Sequence, residues 1–231
     1  MPHPVETRNP PSSADPAGAA LRGFGPAGIL AIPVIFAGNL IVVPLSAVLV
    51  LLWARWSRTP WREIGFVRPR SLAVTAAAGI ACGVVFKLSM KAVVMPLLGA
   101  DPVNQAYRHL TGNTAALPWA LYAMIVGAGF GEETLYRGYL FERLGRLLGT
   151  GGWARAASVA ITSGLFGLAH YSEQGLAGAQ QATIVGVVLG TIYAVTGRIW
   201  MPMIAHAAFD LTALAIIYWD LESRVAHFIF K

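Results

Sequence analysis

Residues 72–98 read LAVTAAAGIACGVVFKLSMKAVVMPLL and form an almost uninterrupted apolar stretch. A bilayer core roughly 30 Å thick needs about 20 apolar helical residues to cross it, so this stretch is long enough. Its two charged residues, Lys87 and Lys91, lie one helical turn apart. We expect them to face the interior of a helix bundle or to extend to the lipid headgroups. The stretch therefore predicts a transmembrane helix.

The composition of the 231-residue chain indicates that this helix is one of several. Hydrophobic residues make up 56% and charged residues 12%, and the mean hydropathy is +0.59. The charged share is about half of that in soluble globular proteins, which argues against a water-soluble monomer. Five further apolar stretches cover residues 24–53, 118–130, 153–171, 176–195 and 199–219. We therefore predict an all-α fold, a polytopic transmembrane helical bundle of about six spans.

The remaining segments differ in composition from the spans. Residues 1–22 are rich in Pro, Ser and Ala and predict a disordered N-terminal tail, which leaves residues 23–231 as a single transmembrane domain. Residues 131–149, GEETLYRGYLFERLGRLLG, predict an amphipathic helix that leaves the membrane after the third span. The net charge of +6 reflects arginines in loops beside anionic lipid, and their pattern does not favour nucleic-acid binding. The single cysteine, Cys82, excludes an internal disulfide.

A few ionisable residues inside the apolar spans are the candidates for function, because each costs about 2.5 kcal/mol or more in a membrane. Glu133 and Arg137 have the spacing of an ion pair within one helix, which is a structural role. Glu132 points roughly 100° away from Glu133 and can face the bundle. A surface ion pair and a catalytic role explain Glu132 equally well.

Two histidines and an aspartate belong to later spans. His170 ends the fourth span, with Phe166 one turn before it, and a lone histidine there is more often a helix cap or an interfacial residue. His206 and Asp210 lie one turn apart in the middle of an apolar span, where Asp210 can fix the tautomer of His206. Together with Glu132, these groups suit activation of water and stabilisation of an oxyanion, and they also suit metal ligation.

The order of these motifs resembles a known family. The residues that carry the resemblance are Glu132-Glu133-x-x-x-Arg137, Phe166-x-x-x-His170 and His206-x-x-x-Asp210. They are similar to the motifs of the CPBP family of intramembrane proteases (CAAX protease and bacteriocin-processing proteins, also called Abi), which includes the type II CAAX prenyl endopeptidases. The resemblance covers about residues 64–211. It implies a helical membrane endopeptidase, nominally a metalloprotease, which we expect in a bacterial-type cytoplasmic membrane.

The resemblance also implies roles for the motif residues. Glu132 would be the general base for water, assisted by His170, and His206 with the residue at position 210 would form the oxyanion site. Relatives usually have Asn at the last position, whereas this chain has Asp210. An ionised Asp cannot donate to an oxyanion, so Asp210 would orient His206, donate only when protonated, or approach a metal.

The remaining implied groups concern support, cofactor and substrate. Glu133, Arg137 and Phe166 would support the motif helices. One divalent metal such as Zn²⁺ and no metal at all are both compatible with the resemblance, and the ligands would be Glu132, His170 and His206. The partners would be the lipid bilayer and a peptide or protein substrate, with a lipidated substrate included.

Two other classes of function compete with a protease. A non-proteolytic membrane adaptor, or an immunity or secretion partner of the same fold, needs no buried His206 or Asp210. A small transporter would use the same four ionisable groups as a proton relay, but the sequence shows no inverted repeat. We therefore predict the protease first and the adaptor second.

Overall fold

The computed structural model describes residues 16–230, and these residues are helical with no strand. The all-α prediction is therefore confirmed. The helices are α1 (Pro16–Arg22), α2 (Pro26–Ile41), α3 (Leu45–Trp56), α4 (Leu72–Leu97), α5 (Thr114–Leu148), α6 (Gly152–Thr196), α7 (Trp200–Tyr218) and α8 (Glu222–Ala226).

The predicted number of six spans is approximate. By length and composition, the four helices α4 to α7 can cross a membrane, and α1 with α2 makes a fifth candidate that is bent by 59°. Helix α6 breaks at Gly175, whose φ of 63° and ψ of −161° are not helical. Its two arms match the fourth and fifth predicted spans, and the second arm folds back along the first, because Gly167 lies against Thr183 and Gly186 lies against Ser163.

The first predicted span, residues 24–53, is divided between two helices. It consists of α2 and α3, which are joined at Val42–Pro44 and pack on each other as a hairpin. Asn39 and Ser46 close the turn reciprocally, since each side-chain oxygen accepts a hydrogen bond from the other residue's backbone N–H. The 12 residues of α3 rise only about 18 Å, so α3 alone is too short to cross a bilayer core.

The predicted disordered tail is wrong for its last seven residues, which form α1. Arg143 holds the end of α1 in place by donating hydrogen bonds to the carbonyl oxygens of Arg22 and Gly23. The Arg22 side chain pairs with Glu63 and Glu142. The part of the predicted tail at residues 1–15 lies outside the described residues.

The predicted third span and the amphipathic segment that follows it are one continuous helix, α5. Much of α5 has wide, π-type hydrogen bonding, over Ala123–Glu132 and Thr134–Leu140. The glycines in its middle do not end the helix. They allow close packing on a neighbouring helix, since Gly129 lies against Met203 and Ala207 of α7. The amphipathic part is the final segment, Phe141–Leu148.

Helices α4 and α7 form the closest helix pair of the bundle. Gly83 of α4 contacts the backbone of Ala205 and Phe209, so no side chain separates the two helices there. Lys87 and Lys91 of α4 are both buried, which confirms the bundle-interior alternative of the sequence-based prediction. The α4–α7 contact therefore brings two lysines to the helix that carries His206.

Candidate functional site

A cavity of about 750 Å³ lies between α4, α5, α6 and α7. The candidate catalytic residues Glu132, His170, His206 and Asp210 all line it, together with Phe166. The structure thus brings together residues from three helices that are separated by up to 78 positions in the sequence. Glu133 and Arg137 lie behind this wall and are almost completely buried.

Glu133 connects two of the predicted motifs. Its Oε1 accepts a hydrogen bond from Arg137 Nη1 at 2.7 Å, which confirms the predicted ion pair. The same oxygen lies 2.8 Å from His206 Nδ1. A carboxylate only accepts hydrogen bonds, so His206 donates from Nδ1. Arg137 also donates from Nη2 to the carbonyl oxygen of Gly186 at 3.2 Å, which fixes the group to α6.

The other nitrogen of His206, Nε2, faces two carboxylates of the cavity. It lies 3.8 Å from Glu132 Oε2 and 3.7 Å from Asp210 Oδ2. Both distances exceed a hydrogen bond. Asp210 therefore makes no hydrogen bond to His206, whose Nδ1 proton is held by Glu133.

Glu132 is the more accessible of the two adjacent glutamates. Its side chain is 26% exposed, whereas that of Glu133 is fully buried. Glu132 Oε2 accepts no hydrogen bond from any residue within 16–230. A carboxylate in a cavity with a free acceptor beside a histidine is the arrangement expected of a group that binds and deprotonates water.

Phe166 packs against both histidines. Its ring centroid lies 4.5 Å from that of His170 and 5.7 Å from that of His206, and Arg137 lies over the ring at 5.1 Å. His170 Nδ1 is 2.8 Å from the Phe166 carbonyl oxygen, so His170 donates from Nδ1. Its Nε2 is then the nitrogen that can accept a hydrogen bond in the cavity.

The candidate metal ligands Glu132, His170 and His206 do not form a metal site. Within residues 16–230, no group of three or more His, Cys, Asp or Glu residues has the geometry to hold a metal ion. We therefore assign no step of the chemistry to a metal.

The cavity also contains polar residues that we did not include among the site residues. Lys87, Tyr107 and Gln181 line it. Burial, followed by the charges of nearby carboxylates, raises the pKa of Tyr107 to about 12, so this phenol is neutral at ordinary pH. Its hydroxyl accepts a hydrogen bond from Gln174 Nε2 at 3.0 Å. Only Lys87 had a sequence signal, as a charge inside an apolar span; Tyr107 lies in a loop and had none.

A second lysine fastens the loop over the cavity. Lys91 Nζ donates to Glu222 Oε1 and to the carbonyl oxygen of Pro102, each at 2.7 Å. The backbone N–H of Asn104 donates to the same glutamate oxygen at 3.1 Å. This Lys91–Glu222 clasp therefore joins α4, the loop that follows it and α8.

The fold and the site define an integral membrane protein with a carboxylate–histidine centre buried among its helices. Residues 114–212 match the family model described as Rce1-like, type II CAAX prenyl endopeptidase Rce1-like. These residues span the Glu132, His170 and His206 motifs, and the predicted family resemblance is confirmed over them. The match covers less than half of the chain. Comparisons with curated proteins and with solved structures gave no match.

Proposed function

We propose that the protein is an intramembrane endopeptidase that hydrolyses a peptide bond by direct attack of water. The observation that carries this proposal is the position of Glu132: its side chain lines the cavity, and its Oε2, which accepts no hydrogen bond within residues 16–230, lies 3.8 Å from His206 Nε2. His206 is held from behind by the buried pair of Glu133 and Arg137. Such a fixed histidine beside a free carboxylate suits acid–base chemistry on a bound amide.

In the proposed reaction, Glu132 is the general base. It accepts a proton from a water molecule, whose oxygen attacks the carbonyl carbon of the peptide bond. The tetrahedral intermediate then collapses, the C–N bond breaks, and the proton passes from Glu132 to the leaving amine. His170 lines the same cavity and assists by accepting a hydrogen bond from the attacking water at Nε2.

The proposed oxyanion donor is His206. Its Nδ1 donates to Glu133, so a second proton, on Nε2, is needed for donation to the oxyanion. Asp210 lies 3.7 Å from that nitrogen and, in its protonated form, is a second donor for the oxyanion. No step passes through a metal, because the residues present do not fit one.

The proposed substrate is a peptide that reaches the cavity within the membrane, and peptides with a lipidated C-terminus are the first class to test. The proposed location is a bacterial-type cytoplasmic membrane. The proposed substrate rests on the family match and on the position of the cavity between membrane-spanning helices.

The decisive experiment measures cleavage of a quenched-fluorescence peptide library by purified protein in lipid, with lipidated C-terminal peptides included. Glu132→Gln should lower the rate by about 10²- to 10⁴-fold, because a general base contributes about that much. Asp220→Asn is the matched control, since it also replaces a carboxylate by an amide, at an exposed position that does not line the cavity. Equal rates for wild type and a folded Glu132→Gln variant would show that Glu132 is not the general base and would favour the adaptor function.

A further inference from the structure

Lys87 is a buried cation on the wall of the cavity. Its side chain is only 7% exposed and lines the cavity together with His206 and Asp210. Its Nζ donates a hydrogen bond to Gln181 Oε1 at 3.1 Å and lies 4.8 Å from the ring centroid of Phe209. Within residues 16–230, Lys87 forms no ion pair with a carboxylate. A buried ammonium that makes no direct ion pair is unusual, because burial of a charge is costly unless it is paired.

Lys91, one turn further along α4, shows what a paired lysine looks like in the same environment. Its Nζ has two acceptors at 2.7 Å, the Glu222 carboxylate and the Pro102 carbonyl oxygen. Lys87 has one neutral acceptor and three N–H donors. Lys87 therefore retains donors for a further group, whereas Lys91 serves the structure.

Gln181 adds a second kind of donor at the same place. An ammonium group only donates hydrogen bonds, so Gln181 must turn its oxygen toward Lys87. Gln181 also lines the cavity, and its Nε2 is bonded to the same carbon as the oxygen that accepts from Lys87. A charged N–H and an amide N–H side by side match the two oxygens of a carboxylate.

The position of this donor pair relates it to the catalytic centre. Phe209, which Lys87 overlies, follows His206 by three residues and precedes Asp210 by one. The lysine thus lies beside the helical turn that carries the histidine. A carboxylate bound there would be close to a peptide bond at Glu132.

We propose that Lys87, together with Gln181, binds a carboxylate of the peptide substrate and thereby selects peptides that carry one near the scissile bond. The inference rests on the proposed peptidase function and names a determinant of its specificity. The carboxylate is either the free C-terminus of the peptide or the side chain of an Asp or Glu near that end, and the experiment below separates the two.

The test compares three peptides that differ only at the C-terminal residue. They are the free C-terminal acid, the C-terminal amide, and an amide whose last residue is replaced by Asp. Wild-type protein should cleave a carboxylate-bearing peptide with a kcat/KM about ten- to hundredfold above that of the plain amide, as a charge-assisted hydrogen bond allows. Lys87→Met should abolish this preference, and Lys87→Arg should retain part of it. The peptide that is preferred identifies the source of the carboxylate.

Gln181→Leu should weaken the preference, and Gln180→Leu is the matched control, since Gln180 has the same side chain but does not line the cavity. A purely structural role of Lys87 would lower cleavage of all three peptides equally. A wild type that does not discriminate, or a Lys87→Met variant that keeps the preference, would overturn the proposal.

Binding of the same peptides, labelled with a fluorophore, to the Glu132→Gln variant gives a second readout that needs no turnover. If wild type cleaves none of the peptides, the peptidase function fails, while a binding preference that disappears in Lys87→Met/Glu132→Gln still supports the carboxylate site. If cleavage depends on Glu132 but neither rate nor binding depends on Lys87, the peptidase function stands and the carboxylate site is wrong.

Discussion

At the scale of single residues, Glu133 makes the most consequential contact of the molecule. One oxygen of Glu133 serves both Arg137 and His206, so the charge of a buried arginine and the orientation of a cavity histidine depend on the same carboxylate. The spacing of Glu133 and Arg137 predicted their pairing, because four residues make one helical turn. The contact with His206 could not be predicted from the sequence, since 73 positions separate the two residues and only the packing of α7 against α5 brings them together.

Two variants at this contact should therefore separate the role of Glu133 in stability from its role in activity, and the first is Glu133→Gln. It leaves the buried Arg137 without its counter-charge, and we expect the free energy of unfolding to fall by about 3–5 kcal/mol. The double variant Glu133→Gln/Arg137→Met removes both charges and should recover much of this stability, measured by thermal unfolding in lipid. Its cleavage rate should stay low, because His206 still lacks a charged acceptor at Nδ1. A double variant with full activity would show that the contact between Glu133 and His206 is dispensable.

Asp210 offers a second test at the residue scale, because it lies close to His206 Nε2 without a hydrogen bond. Asp210→Asn can donate from its amide to an oxyanion, so we expect kcat/KM to stay within about tenfold of wild type. Asp210→Leu keeps the branching at Cγ but has no polar group, and should lose a further factor of about 10²–10³, as expected when an oxyanion donor is removed. Equal losses in the two variants would mean that the negative charge of Asp210, and not its hydrogen-bonding capacity, is what the site needs.

At the scale of helices, the sequence predicted the spans that are uninterrupted apolar helices. It did not locate a turn that consists of apolar residues. The stretch at residues 72–98 is one helix as predicted, because nothing interrupts it. Residues 24–53 contain an apolar turn at Val42–Pro44, which hydropathy cannot distinguish from a helix. The turn between the arms of α6 was predicted near Gly175 because polar residues surround it.

Close packing of α4 on α7 makes Gly83 a sensitive position. A Cβ atom at Gly83 would lie 2.3 Å from the carbonyl oxygen of Ala205 and 2.8 Å from the backbone nitrogen of Phe209, so the helices must separate. Gly83→Ala should lower the free energy of unfolding by about 1–3 kcal/mol, although alanine favours helices more than glycine does. Gly164→Ala on α6 is the control, since no atom lies within 4 Å of its Cβ position, and it should be neutral or slightly stabilising. Thermal unfolding in the same lipid compares them; a Gly83→Ala protein as stable as Gly164→Ala would contradict the tight α4–α7 contact.

At the scale of the whole molecule, the cavity wall consists of long helices, whereas its cover is a loop held by few contacts. Four helices supply the catalytic residues and the buried cations, and glycines at their contacts allow these helices to pack closely. The loop between α4 and α5 is fixed by the Lys91–Glu222 clasp and by the hydrogen bond from Gln174 to Tyr107. The family motifs predicted the catalytic wall, but no pattern in the sequence relates Lys91 to a glutamate 131 positions later.

The Lys91–Glu222 clasp should therefore stabilise the loop more than it stabilises the helix bundle. Glu222→Gln leaves Lys91 with a weaker acceptor and releases the Asn104 N–H, so the loop at residues 98–113 should open locally more often than the helices unfold. We expect limited proteolysis in lipid to cut that loop about tenfold faster, which corresponds to about 1.4 kcal/mol of lost local stability. Lys91→Met should have the same effect, and the double variant should be no worse than either single variant, because both substitutions break one interaction. Additive effects of the two substitutions, or cleavage that spreads equally to the helices, would show that the two residues stabilise the fold independently and do not act together as a fastener of the loop.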